Sequence, residues 1–202
     1  MTREIVIASR NKGKIAEILQ ILAETPVKLR SLLDFPDAPT VEETGTTYVE
    51  NARLKARAVA RHSGLWALAD DSGIEVDALN GGPGVHSARY AGPAAGDAPN
   101  NERLLRDLAA VPNPKRTARF RAAVVLAAPD GSFLAEAEGA CEGIIAGEPR
   151  GASGFGYDPI FILPEFGQTM AELGLEIKNR ISHRAVALRR LRDRMAELKL
   201  VG

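Results

Sequence analysis

Two long alternating runs constrain this chain more than any other feature. Ala118, Phe120, Ala122, Val124 and Leu126 put apolar side chains at every second position, and a second extended run follows from Phe133 to Ile145. A period of two is the signature of a strand with one face buried. The residues between the runs, Pro129-Asp130-Gly131, favour a tight turn, so the pair predicts a hairpin. Strands of this length predict an elongated sheet that extends beyond one lobe.

A second strand pattern, beginning at Trp66, runs into Asp70-Asp71-Ser72-Gly73. Neighbouring residues on an extended chain point to opposite faces, so the two aspartates cannot do the same job. A carboxylate at the carboxyl end of a strand is a common metal ligand or general base in α/β proteins. The alternative is that Asp-Asp-Ser-Gly is only a turn, since all four residues favour turns. Ile74 to Leu79 then alternates as a further half-buried strand. Asn80–Gly84 reads as a turn, and Val85–Tyr90 as extended or a single helical turn.

Elsewhere the punctuation is clear. Glu4–Ala8 reads as a buried β-branched strand, followed by Ser9-Arg10-Asn11-Lys12-Gly13-Lys14 and a helix whose face is Ile15, Ile18, Leu19 and Leu22. A helix start that carries lysines and free N–H groups suits an anion such as phosphate. The spacing is not that of a Walker A loop. Proline-rich residues 26 to 41 predict a strand and an irregular connection. Thr47 and Glu50 have capping-box spacing and start a helix near Tyr48. Its apolar face is Val49, Ala52, Ala56 and Val59, with Glu50, Asn51 and Lys55 on or near the opposite side. Glu42 and Glu43 precede this helix, either as acids favouring a helix start or as a second carboxylate for a metal shared with the aspartates. Residues 91 to 100 read as a loop before a helix built on Leu104, Leu105 and Leu108. Glycines 154 and 156 around Phe155 let the backbone approach a flat ligand, on which Phe155 or Tyr157 would stack and to which Asp158 would hydrogen-bond. Tucking those aromatics into the core is the competing reading. Thr169 and Glu172 cap a short helix. Ser182 caps the last one, and His183 and Arg184 in its first turn, with Lys178, form a second polar pocket.

Composition narrows the class. The 202 residues carry zero formal net charge and one cysteine. Neutrality argues against a general nucleic-acid or membrane-surface binder. No internal disulfide is possible, which fits a reducing cytosol. Cys141 sits among small apolar neighbours and reads as a packing residue. No apolar run is long enough to span a bilayer, and no signal-peptide layout is present.

In their order along the chain, these motifs resemble the inosine triphosphate pyrophosphatase family. The segments that carry the resemblance are Ser9–Lys14, Glu42-Glu43-Thr44-Gly45, Glu50-Asn51 through Lys55, Ala69–Gly73, Gly82-Pro83-Gly84 with Ser87–Tyr90, Gly154–Pro159 and Ser182-His183-Arg184. The resemblance covers nearly the whole chain, read as one catalytic domain over residues 1–202. It implies an α/β fold with an elongated mixed central sheet, flanking helices and two lobes around a nucleotide cleft. It also implies a cytoplasmic homodimer with no membrane and no stable nucleic-acid partner. The implied activity is Mg²⁺-dependent hydrolysis of non-standard purine nucleoside triphosphates (inosine, deoxyinosine and xanthosine) to monophosphate and pyrophosphate. By the same resemblance Asp71 is the general base and a metal ligand, and Glu43 a further metal contact. Ser9, Arg10, Asn11, Lys12, Gly13, Lys14, Lys55 and Ser72 are triphosphate contacts. Phe155, Gly156, Tyr157 and Asp158 form the base and sugar pocket, and Lys178, His183 and Arg184 read the purine edge. The competing expectations are a related pyrophosphatase for modified pyrimidine triphosphates and a non-catalytic nucleotide- or RNA-binding protein.

Overall fold

The computed structural model describes residues 3–200. Among the described residues, seven strands form one sheet in the order β2-β1-β3-β4-β5-β6-β7. They are β1 (Arg3–Ile7), β2 (Val27–Ser31), β3 (Trp66–Val76), β4 (Thr117–Ala127), β5 (Phe133–Ile145), β6 (Phe161–Leu163) and β7 (Gln168–Thr169). The helices are α1 (Lys12–Ile21), α2 (Tyr48–Ser63), α3 (Asp97–Asp107), α4 (Met170–Ile181) and α5 (His183–Glu197). The sheet is mixed: β1 pairs parallel with β2 and β3, while β6 pairs antiparallel with β5 and β7. The fold is therefore mixed α/β, with a seven-stranded sheet and flanking helices. Among the described residues, no helix is long and apolar enough to cross a membrane.

The chain divides into two compact units. Among the described residues, the first comprises 3–71, 122–139 and 183–200, and the second 72–121 and 140–182. The predicted hairpin is β4–β5, closed by Gly131 N–H donating to Ala128 O at 2.8 Å. Both of its strands, and β3, contribute residues to each unit.

In the first unit, strand alternation sorts side chains onto two faces. Ile5, Ile7, Trp66, Leu68 and Val124 pack under α1 and α5 with Ile15, Ile18, Leu188 and Leu191. Val6, Ala8, Ala67, Ala69 and Val125 pack under α2 with Ala52, Ala56, Val59 and Ala60. Large side chains on the first face contribute about 1.5–3 kcal/mol each when fully buried. The alanines of the second face let α2 lie close to the sheet. That helix begins with the predicted capping box, Thr47 accepting from Glu50 N–H at 3.2 Å, and ends at left-handed Gly64. The second unit has its own core of Ile74, Val76, Leu104, Phe120, Ile145, Tyr157, Ile160 and Phe161.

Several expectations need correcting. The strand does not stop at Asp70-Asp71: β3 runs unbroken from Trp66 to Val76 and absorbs the separate strand read from Ile74. Asp77–Leu79 is a 3₁₀ turn. The polar residues stay in the strand because cations from the helices neutralise them there. Residues 97–100, read as loop, are the first turn of α3, although Gly96 precedes them and Pro99 lies among them. The short helix after Thr169 is 12 residues long, kinked at Gly174, whose φ is 77°.

Candidate active site

The two aspartates obey the alternation of β3. Asp70 continues the Trp66 and Leu68 face and meets α1 and α5. Asp71 continues the Ala67 and Ala69 face and meets α2. Each therefore has a different set of partners.

Asp70 is bound on three sides. Lys14 Nζ lies 2.6 Å from its Oδ2, Arg184 Nε 3.0 Å from Oδ1 and Arg184 Nη2 3.3 Å from Oδ2. Arg184 Nη1 also donates to Glu17 Oε2 at 2.5 Å. Burial pushes the Asp70 carboxyl up, but Arg184 and Lys14 outweigh it and hold the group far below the usual carboxylate range. Burial also opposes the charge on Arg184, yet Asp70 and Glu17 hold that guanidinium firmly protonated. For Lys14 burial wins, and its ammonium is pulled below the ordinary value despite Asp70. The guanidinium of Arg184 is thus fixed by two carboxylates, with a side chain only 1% exposed. Sequence reasoning missed Glu17. Its signal was its place one turn after Lys14, on the buried side of α1.

Asp71 belongs to a second cluster. Lys55 Nζ bridges two carboxylates, 2.7 Å from Asp71 Oδ1 and 2.9 Å from Glu43 Oε1. Asn51 Nδ2 stands 3.4 Å from Asp71 Oδ2. Desolvation raises the Asp71 carboxyl above its ordinary value even against Lys55 and Lys14. Burial lowers the Lys55 ammonium, but Asp71 and Glu43 together leave it raised. Asn51 and Lys55 had been expected near the side of α2 away from its apolar face. They instead flank the alanine stripe and face the sheet, Asn51 fully buried. At 100° per residue, positions 51 and 55 form the row beside 52 and 56.

The first loop behaves as a helix start. Asn11 caps α1, its Oδ1 accepting from Lys14 N–H, and Ser9 Oγ accepts from Asn11 N–H, both at 3.1 Å. Gly13 lies within the first turn, and Arg10, Asn11 and Lys12 are exposed. Arg10 Nη2 donates to Ala38 O at 2.8 Å. A cavity of about 200 Å³ is lined by Ser9, Arg10, Thr40 and Lys55 among others. The remaining lining is apolar, from Ala8, Leu32, Pro39, Val41 and Val59. Ser72 follows Asp71 on β3, in the second unit.

The second unit holds the aromatic loop. Lys178 Nζ is 2.5 Å from Asp158 Oδ2 and 4.2 Å from the centroid of the Phe155 ring. Asp158 Oδ2 also accepts from Phe155 N–H at 2.9 Å, and a Cβ on Gly154 would overlap that carboxylate. The start of α3 grips Gly156 at both ends: the Gly156 N–H donates to Asp97 Oδ2 at 2.7 Å, and its carbonyl accepts from Asn101 Nδ2 at 3.0 Å. Asp97 was missed because residues 91 to 100 read as loop, and Asn101, just beyond them, carried no motif. Tyr157 takes the core alternative. It is 5% exposed, and its hydroxyl donates to Ser87 O at 2.8 Å. Phe155 is the aromatic beside the lysine. His183 is buried at the start of α5, in the first unit with Arg184.

The donor set suits a hard divalent cation. Glu43 and Asp71 supply carboxylate oxygens, and the Lys55 ammonium lies between them. Among the described residues no three His, Cys, Asp or Glu side chains cluster as a metal site. Magnesium commonly takes one or two carboxylates and completes its shell with water and phosphate oxygens.

The sequence profile of the Ham1 family matches residues 5–194. The chain belongs to the Ham1 family. A dITP/XTP pyrophosphatase of Geobacillus kaustophilus (strain HTA426) is 55% identical over 196 residues, which is 97% of this chain and 96% of the relative. One of Geobacter sulfurreducens (strain ATCC 51573 / DSM 12127 / PCA) is 53% identical over 195 residues, 96% of this chain and 97% of the relative. The solved HAM1 protein from Coxiella burnetii superposes with a TM-score of 0.87 at 45% identity, covering 97% of this chain and all of that one (100%). This Ham1 chain thus shares both sequence and fold with its relatives over nearly its full length.

Proposed function

We propose that this Ham1 protein hydrolyses inosine, deoxyinosine and xanthosine triphosphates to the nucleoside monophosphate and pyrophosphate. The relatives named dITP/XTP pyrophosphatase support the reaction and substrate class. The observation that carries the residue assignment is the half-buried Lys55 ammonium between Glu43 and Asp71. In this reading Asp71 takes a proton from water as the water oxygen bonds to the α-phosphorus. The bond from the α-phosphorus to the bridging oxygen breaks, and pyrophosphate leaves with the electron pair. A carboxylate raised by burial is a better base than an exposed one. Glu43 and Asp71 would hold Mg²⁺, which when bound offsets charge on the phosphates. Lys14, Lys55, Ser9, Asn11 and Ser72 neutralise or hydrogen-bond the triphosphate.

Phe155 supplies a flat face for the base, and Lys178 a donor for a 6-oxo group. Adenine presents an amino donor there, which leaves the lysine facing another donor, and such a mismatch is expensive. The family resemblance also puts Arg184 and His183 at the purine edge; here Asp70 and Glu17 hold the Arg184 guanidinium and His183 is buried, so the assignment rests on Lys178. The working form is a homodimer in the cytoplasm, which sedimentation of the purified protein and cell fractionation check. The deciding experiment is product analysis with each triphosphate and Mg²⁺, beside Asp71→Asn. Monophosphate plus pyrophosphate, lost in the variant, supports the reading; orthophosphate and diphosphate refute it.

A further inference from the structure

We propose that Asn51 is a positioning residue that sets the orientation of the Asp71 carboxylate. The inference rests on the reading of Asp71 as the base. Asn51 is fully buried on α2. Asparagine is a poor helix former, and its buried amide must be hydrogen-bonded on both sides to be tolerated. An apolar residue would fit the alanine-rich face of the sheet more readily.

Its partners explain the choice. Asn51 Oδ1 accepts from Gly45 N–H at 2.8 Å. Because that atom receives an N–H, it is the oxygen, and the NH₂ group is turned to Asp71 Oδ2 at 3.4 Å. Aspartate has no donor for the second contact, and leucine has neither group. Glycine is required at 45, because a Cβ there would stand 2.7 Å from Asn51 Oδ1 and 2.7 Å from Glu50 Cβ. The same loop is tied to α2 again through Glu50 Oε2, which accepts from Thr46 N–H at 2.8 Å and Thr47 N–H at 3.2 Å.

The two oxygens of Asp71 are thereby divided. Oδ1 faces Lys55 at 2.7 Å and Oδ2 faces the Asn51 amide. A contact of 3.4 Å is at the long limit of a hydrogen bond. It steers the carboxylate plane and leaves Oδ2 with capacity to accept a proton from water. Asn51 therefore links the position of the Glu43–Gly45 loop to the orientation of the base.

The test compares Asn51→Leu, Asn51→Asp and Gly45→Ala with Arg57→Ala and Asp71→Asn. Arg57 lies on α2 with its guanidinium over Phe133, away from Asp71. Its removal loosens the helix without touching the base. Steady-state pyrophosphate release from inosine triphosphate and the melting midpoint are measured for each. Both Asn51 variants should lose about 10–100-fold in kcat with KM within about threefold, the range for misaligned general bases. Gly45→Ala, which presses on the amide while keeping it, should fall in the same direction. Arg57→Ala should melt lower with kcat near that of the parent. A crystal structure of Asn51→Leu should show the Asp71 carboxylate rotated about χ2 with its backbone in place. Unchanged kcat in Asn51→Leu and Gly45→Ala, or an equal kcat loss in Arg57→Ala at matched melting loss, overturns the proposal. If Asn51→Leu does not fold, Gly45→Ala and Asn51→Asp decide it. Full activity of Asp71→Asn instead overturns the reading of Asp71 as the base.

Discussion

Replacing Arg184 by methionine removes one cation from a buried cluster that holds two carboxylates. The side chains of Arg184 and Glu17 are each 1% exposed and that of Asp70 is 0% exposed, so water cannot replace the lost partner without opening the core. The bidentate contact to Asp70, at 3.0 and 3.3 Å, and the 2.5 Å contact to Glu17 all disappear. Lys14 remains on Asp70, while Glu17 loses its guanidinium. Breaking a buried ion pair from one side costs about 3–5 kcal/mol, because a desolvated charge is left behind. For a chain of this length each kcal/mol lowers the melting midpoint by roughly 2–4 °C, so a fall of about 6–20 °C is expected. Urea denaturation and calorimetry read both quantities. Adding Glu17→Met to Arg184→Met should recover part of the loss, because the second carboxylate then needs no cation. A loss below about 1 kcal/mol, or no recovery in the double variant, would refute the argument that this cluster is dry and mutually dependent.

Other consequences follow from the same geometry. Burial pushes the Cys141 thiol up to about 11 from an ordinary 9.0, which lowers its thiolate fraction about 100-fold at neutral pH. Iodoacetamide labelling of the native protein should therefore be slow at pH 8 and rise about tenfold per pH unit towards 11; labelling at the rate of a free thiol at pH 8 would contradict this. Phe155→Leu should raise KM for inosine triphosphate about 5–150-fold, the equivalent of a stacking contact of about 1–3 kcal/mol. An unchanged KM would remove Phe155 from the base site. Ala56→Leu overpacks the alanine seam between α2 and the sheet and should cost about 1–3 kcal/mol in urea denaturation. No loss would mean the seam has room to spare.

The hairpin, α1, the start of α2 and the isolated thiol were all legible in the sequence, because each depends on a local pattern. Alternation alone also implied that Asp70 and Asp71 face different ways. What it could not supply was the partner of each. Arg184 lies 114 residues from Asp70 in sequence, and nothing local says that it binds there. The reading of Asp70–Gly73 as a turn failed for the same reason. Turn propensity assumes that buried carboxylates leave the strand, whereas Lys14, Lys55 and Arg184 neutralise them in place. The sequence pattern puts Asn51 on or near the side of α2 opposite its apolar face, and only its contacts with Gly45 and Asp71 show why it is buried. Tyr157 and Phe155 could not be ranked from spacing. The hydroxyl bond to Ser87 sends one into the core, and Lys178 marks the other.

The most direct test of the account is the bond that this protein cleaves. Inosine triphosphate labelled at the γ-phosphate is incubated with the protein and Mg²⁺, and the labelled product is identified for the parent chain and for Asp71→Asn. The account predicts label in pyrophosphate, unlabelled inosine monophosphate in equal amount, and a loss of at least about 100-fold in the variant. Label in orthophosphate, or a variant as active as the parent, would contradict it.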